Sequence, residues 1–241
     1  MPKIGILIHV YYDDTLMSIY KQISSLLRED NVYVFLNISR ENPYFHRAAT
    51  IIEKRYPKIY LIGSTNKGKD IGGKLALIDM YLRCDIKCDY LVFLHDKKSP
   101  QLLEGNLWQD KLFNIINKEK INSILTIFED ESIGMIGNKE NIMSKKTDPE
   151  SKIFVNKKEF TLDLAKKYSI QSDDYEFVGG TMFWVRESVY RSFFTEFSPL
   201  QIRKTLEYGN VMDDFGPTIT HSWERLLGWI ITSKGFKIAG I

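Results

Sequence analysis

The feature that most constrains this chain is an alternation that fills its first hundred residues. Short runs of unbroken apolar character, "KIGILIHV", "NVYVFLNI", "KIYLIGS" and "YLVFLH", are separated by the amphipathic stretches "TLMSIYKQISSLLRE", "FHRAATIIEKRY" and "GGKLALIDMYLRC". Strands that are apolar on both faces, with helices between them, build βαβ units and a parallel sheet covered on both sides. The first half is therefore expected to form a doubly wound α/β structure. In such sheets ligands lie beyond the carboxyl ends of the strands. The residues at those ends are His9, Asn37, the stretch 63–66, and His95 with Asp96.

The second half is less regular. Two helical patterns, "LWQDKLFNIINKEK" and "INSILTIFEDE", lead to a short strand, "IGMIG". Residues 138–159 are polar, rich in Lys, Asn and Ser, and read as a mobile loop or lid. Order resumes with "YEFVGGTMFWVRESVYRSFF" and, after another irregular stretch, with "THSWERLLGWIITSKG" and "FKIAGI". With no internal repeat and no clean linker, the expected organisation is one domain over residues 1–241, regular over 1–100 and irregular over 101–241.

Charge narrows the partners. The 33 basic and 31 acidic side chains leave a net charge of +2, which argues against a general nucleic-acid binder. Cys84 and Cys88 are the only cysteines, too few for a disulfide framework and two ligands short of a zinc site. The apolar N-terminal run has no basic segment and no small-residue cleavage site, so it reads as a strand and not a leader. No apolar stretch approaches the roughly 18 residues of a membrane span. The expected location is the cytoplasm, with peripheral contact at the inner face of the membrane permitted.

Four motifs carry candidate chemistry. In "STNKGKDIGGKLAL" (64–77) three glycines, with Lys67 and Lys69, lie between a strand and the helical run that starts at "KLAL". Glycine allows close backbone approach, and a helix N-terminus favours a phosphate through its free N–H groups and dipole. The spacing is neither the P-loop nor the dinucleotide fingerprint, and a plain glycine-rich turn with Asp70 as N-cap suits it equally. Asn66, Lys67, Gly68, Asp70 and Gly72 are the candidates here. In "LHDKKSP", Asp96 at a strand end suits Mg²⁺ or Mn²⁺, and Lys97 and Lys98 suit phosphate; a solvated strand end explains the same residues. In "FVGGTMFWVRES", Gly179 and Gly180 let a flat ring come close, and Trp184 or Phe183 can stack on it or simply fill the core. In "DDFGPTITHSWERLLGWI", His221 and Glu224 share a face of a helix beginning near Pro217, where Glu224 suits a general base and His221 an orienting group.

Together, "IHVYYDD", "NKGKDIGG", "LHDKKSP", "GTMFWVR" and "THSWERLLG" occur in one order across residues 8–228 and resemble the rhamnan synthesis F family of bacterial polysaccharide assembly proteins. The resemblance implies a GT-A-like glycosyltransferase fold, with a nucleotide-sugar-binding half at 1–100 and an acceptor-side half at 101–241. It implies that Asn66, Gly68 and Asp70 contact the nucleotide and that Asp96 stands at the metal-motif position. By the same likeness Gly179, Gly180, Thr181 and Trp184 approach the acceptor, and Glu224 acts as base. "HDKK" carries one carboxylate where the GT-A motif Asp-x-Asp carries two, so either a divalent cation or Lys97 and Lys98 would balance the diphosphate. The implied activity is inverting transfer of a sugar, rhamnose among the candidates, from a nucleotide-diphosphate donor to a glycan or lipid-linked acceptor of a surface polysaccharide or lipopolysaccharide. A GT-A-like binding protein without turnover and a nucleotidyltransferase using the same cradle are the rival readings.

Overall fold

The computed structural model describes residues 1–12, 15–55, 59–96, 114–144, 158–171, 175–212 and 216–241. Lys97 and Lys98, residues 145–157 of the expected lid, and residues 107–113 of the first expected helix lie outside them.

The four apolar runs form strands β1 (Ile4–Val10), β2 (Val32–Ser39), β3 (Ile59–Ser64) and β4 (Tyr90–His95). Helices α1 (Leu16–Ile23), α2 (Phe45–Arg55) and α3 (Lys69–Arg83) connect them. Helix α4 (Lys118–Ile127) precedes β5 (Ile133–Gly137). The strand β6 (Ile142–Met143) pairs antiparallel with β7 (Phe177–Val178), and α5 (Lys158–Lys167) lies between them in sequence. Then come β8 (Phe183–Arg186), α6 (Glu187–Glu196), α7 (Pro199–Thr205), α8 (Ile219–Ser233) and β9 (Lys237–Gly240).

Seven strands form the main sheet in the order β3-β2-β1-β4-β8-β5-β9. Strands β1 to β4 are mutually parallel, as the apolar runs imply, whereas β8 runs antiparallel to both β4 and β5. This yields the mostly parallel, doubly wound α/β sheet flanked by helices. The chain leaves β1 towards β2 and β3, then returns to place β4 on the other side, so the strand order reverses between β1 and β4. Their carboxyl ends are the topological switch point where ligands of open α/β sheets bind.

Alternation along each strand sorts side chains onto two faces. Ile6, Ile8, Val34, Leu36 and Leu94 join α1, α2 and α4 in one core. Leu7, Phe35 and Phe93 join α3, α6 and α8 in the other. His9, Asn37 and His95 continue the second face, two residues beyond Leu7, Phe35 and Phe93, and stand in register across three strands. The apolar face thus ends in a buried polar layer beneath the start of α3.

Two sequence expectations need correction. The stretch 138–159 is not loop throughout: Asn138 caps a 3₁₀ turn at Lys139–Asn141, β6 follows, and α5 begins at Lys158. The stretch between the two late ordered segments is not irregular throughout either, because it contains α7, opened by Pro199 in its first turn.

Candidate active site at the strand ends

Helix α3 begins where its sequence allows a sharp entry. Gly68 is the N-cap, in the left-handed region at φ 76°, so Asp70 lies in the first turn and is not the cap. The glycine pair that follows is required by close packing. A Cβ at Gly73 would come within 2.3 Å of the His9 ring, and one at Gly72 within 1.8 Å of the Lys67 carbonyl oxygen. Gly72 therefore serves the turn itself, and its carbonyl accepts a hydrogen bond from Arg203 at 3.0 Å. Without a side chain at 73, α3 can settle directly on the polar layer.

That layer is an ordered network. Lys74, almost fully buried on α3, donates to His95 Nδ1 at 2.9 Å and to Asp70 Oδ2 at 3.2 Å. An ammonium only donates, so His95 accepts at Nδ1 and carries its proton on Nε2, which faces Asp70 Oδ2 at 3.8 Å. Thr181 Oγ1 donates to the same carboxylate oxygen at 2.7 Å. Burial alone would raise the Asp70 pKa, but Lys74, His95 and the Thr181 hydroxyl outweigh it and hold the carboxyl well below the usual range. Beside this cluster, Asn37 Nδ2 lies 3.1 Å from His9 Nδ1 and 2.8 Å from Ser64 Oγ. Burial, with the nearby Lys74 charge, lowers His9 to about 4, so it is neutral at physiological pH.

The segment entering β8 joins this network to the second half of the chain. Because β8 is antiparallel, its start reaches the carboxyl ends of β1 and β4. Gly180 donates its backbone N–H to Glu224 Oε1 at 3.0 Å, and the next residue, Thr181, holds Asp70. Thr181 is a β-branched residue at φ 52°, a strained conformation maintained by its burial and its hydrogen bond. Gly179 donates to the Asn141 carbonyl and so fastens the same segment to β6. Helix α8 is capped by Thr218, whose side chain accepts from the His221 N–H. His221 Nδ1 lies 2.6 Å from Thr218 Oγ1, so the ring is turned to the helix start, while Glu224, half-buried one turn later, faces Gly180.

The structure therefore assembles Asp70, His95, Gly180, Thr181 and Glu224 at one edge, with His9 directly beneath. Asn66 is buried nearby, with its N–H on Glu41, and Lys67 stands over the Tyr208 ring at 4.1 Å. Two expectations do not fit this geometry. Trp184 cannot be a stacking platform: it is a core side chain opposite Val92 and Ile136, with its indole N–H on the Ile115 carbonyl. Asp96 turns away from the cleft. Its carboxylate accepts from the Tyr11 N–H, the Tyr12 N–H at 2.6 Å and the Thr15 hydroxyl at 2.7 Å, and it clasps the chain leaving β1. Burial raises its pKa against the pull of those hydrogen bonds. With Oδ2 holding three of these hydrogen bonds and the residue buried, Asp96 as placed does not by itself make a site for a divalent cation, and no group of three His, Cys, Asp or Glu among the described residues has the geometry of a metal site.

Lys74 and Thr15 are participants that sequence reasoning missed, and Asn37 was singled out only as a strand end. For Lys74 a signal was present: a lysine four residues after Asp70, inside a helical run otherwise apolar on that side. Asn37 and Thr15 had only their places near strand ends.

A family model described as rhamnan synthesis protein F matches residues 1–236. Among solved structures, the chain is similar to the mannosyltransferase PcManGT from Pyrobaculum calidifontis, in complex with GDP-Man and Mn2+. The identity is 13%, the match covers 100% of this chain and 55% of that one, and the TM-score is 0.46. It is also similar to glucosyl-3-phosphoglycerate synthase from Mycobacterium tuberculosis, in complex with Mn2+, UDP-Glc and phosphoglyceric acid. There the identity is 11%, the coverage 98% and 81%, and the TM-score 0.37. The chain thus spans about half the length of the mannosyltransferase. No curated protein sequence matches it.

Proposed function

Because this chain belongs to the rhamnan synthesis protein F family, we propose that it is a glycosyltransferase of GT-A-like fold whose donor lies across the carboxyl ends of β1 to β4. The donor in this reading is a nucleotide-diphosphate sugar, with rhamnose as the transferred sugar. The acceptor is a hydroxyl of a growing surface polysaccharide or its lipid-linked precursor. No helix among the described residues is long and apolar enough to cross a membrane.

The observation that carries the reading is the adjacency of Gly180 and Thr181, which bind Glu224 and Asp70 respectively. One carboxylate belongs to the first half of the chain and the other to the second, so a donor and an acceptor held by the two halves meet at this peptide. Glu224 Oε1 is oriented by the Gly180 N–H, and no other hydrogen bond to the Glu224 carboxylate occurs among the described residues. Its carboxylate takes the proton from the acceptor hydroxyl. The hydroxyl oxygen forms the new bond to the anomeric carbon from the face opposite the diphosphate, the bond to the diphosphate oxygen breaks, and the configuration inverts. The first turn of α3, which begins with Lys69, supplies the positive field for the departing diphosphate. Asp70, held ionised by Lys74 and Thr181, accepts a hydrogen bond from a donor hydroxyl. A divalent cation is implied by the GT-A resemblance, but Asp96 does not fit it, and no step is assigned to one.

The test is Glu224→Gln. Transfer from a radiolabelled nucleotide-sugar panel to a saccharide acceptor should fall about 10²–10⁴-fold, while donor binding by titration calorimetry stays unchanged. Normal transfer by the variant removes Glu224 as base. A wild-type protein that binds no nucleotide sugar removes the reading altogether.

A further inference from the structure

We infer that Tyr208 is a stacking platform for a sugar ring of the acceptor saccharide, at the lip of the strand-end cleft. Tyr208 is 71% exposed, more than Tyr44, Tyr60 or Phe160, yet it is held in place from several directions. Its backbone forms a bridge with Lys67, and the Lys67 ammonium covers one ring face at 4.1 Å from the centroid. The preceding residue, Glu207, receives the Gly68 N–H on its carbonyl. Its carboxylate caps α8 by accepting from the Ile219 N–H, the Thr220 N–H at 3.0 Å and the Thr220 hydroxyl. Leu206 packs against Gly68 so tightly that a Cβ there would lie 2.2 Å from its side chain.

The segment 206–208 therefore bridges the start of α3, which carries Asp70, and the start of α8, which carries Glu224. An aromatic ring that is both exposed and fixed has already lost its conformational freedom, so binding against it costs little further ordering. Such a ring, with one face covered and one open, suits a flat apolar face edged with hydroxyls, which is the shape of a pyranose. Its neighbour Glu207 holds the first turn of α8, the helix that carries the proposed base, and this assigns the pyranose to the acceptor. The inference rests on the glycosyltransferase reading for the word acceptor, and on the geometry alone for saccharide binding.

Saturation-transfer NMR and calorimetry with rhamnotriose and cellotriose test the binding directly, without turnover. The wild type should bind at least one of them, with transfer onto its ring protons, and Tyr208→Ala should weaken that binding by about tenfold. Tyr208→Phe and Tyr208→Trp should retain it, since each keeps a ring face. In the transfer assay Tyr208→Ala should raise the KM for the acceptor and leave the donor KM and the thermal midpoint unchanged. The inference is overturned if neither saccharide binds, if Tyr208→Ala leaves saccharide binding within twofold of wild type, or if the variant raises the donor KM instead. Saccharide binding that depends on Tyr208 in a protein that transfers nothing would sink the proposed reaction and leave the platform standing.

Discussion

Asp70 and Asp96 stand at the same carboxyl-terminal edge of the sheet, in opposite electrostatic surroundings. Asp70 is met by the Lys74 ammonium, the Thr181 hydroxyl and the His95 ring, and its pKa is held low; 27% of its side chain remains exposed. Among the described residues Asp96 is met by neutral donors, two backbone N–H groups and the Thr15 hydroxyl, and burial raises its pKa. A carboxylate held by charge keeps its own charge and can offer it to a ligand. One enclosed by backbone amides serves the fold, here by fixing the turn after β1. Nearness to this edge of the sheet does not distinguish the two roles; the partners do.

The contrast can be broken by substitution. Asp70→Asn leaves the Lys74 ammonium buried beside a neutral amide, and breaking a buried ion pair on one side costs about 3–5 kcal/mol. At this chain length that corresponds to a loss of about 10 °C in Tm by calorimetry. A loss no larger than that of Asp96→Asn would remove the distinction drawn between the two residues.

His9 sharpens the comparison because it lies between the aspartates: its carbonyl accepts the Asp96 N–H, and its ring feels Lys74 and Asp70. Folded, it stays neutral down to about pH 4, whereas in the unfolded chain it takes a proton near pH 6.5. The unfolded state therefore binds the proton first. Stability is level with respect to this group above 6.5 and falls by on the order of 3 kcal/mol as the pH drops to 4. Urea midpoints measured through that window should show the decline, and His9→Gln should flatten it; a flat wild-type profile would refute the burial of a neutral histidine.

The smallest effect belongs to Asp96→Asn. The amide oxygen in the place of Oδ2 keeps the Tyr12 N–H and the Thr15 hydroxyl, and an NH₂ in the place of Oδ1 opposes the Tyr11 N–H, so a loss of about 1–2 kcal/mol is expected in chemical denaturation. A change near zero would mean that the turn after β1 holds without its clasp.

The parallel half was legible because an unbroken apolar run such as "ILIHV" has few places to go other than a strand covered on both faces. The direction of β8 was not: "MFWVR" marks a strand but carries no sign of antiparallel pairing, which depends on β4 and β5. The same double covering explains the error at Trp184. In a sheet buried on both sides, neither alternate position is exposed, and composition cannot tell a ring that faces a ligand from one that faces Ile115. Helix α7 was hidden by its shortness. At the site, Asp70, Gly180, Thr181 and Glu224 were found through glycine and carboxylate patterns. Lys74 and Glu207 escaped because their roles come from partners brought close by folding: His95 lies 21 positions from Lys74, and Ile219 lies 12 from Glu207.

The hydrogen bonds of Gly180 and Thr181 also make one peptide answerable to two halves of the chain. A rotation that shortens the bond to Glu224 pulls the strained Thr181 with it and disturbs the anchor on Asp70, and the reverse holds equally. If a ligand on either side moves this pair of residues, the coupling is reciprocal: whatever one ligand does to the affinity of the other is returned in the same ratio.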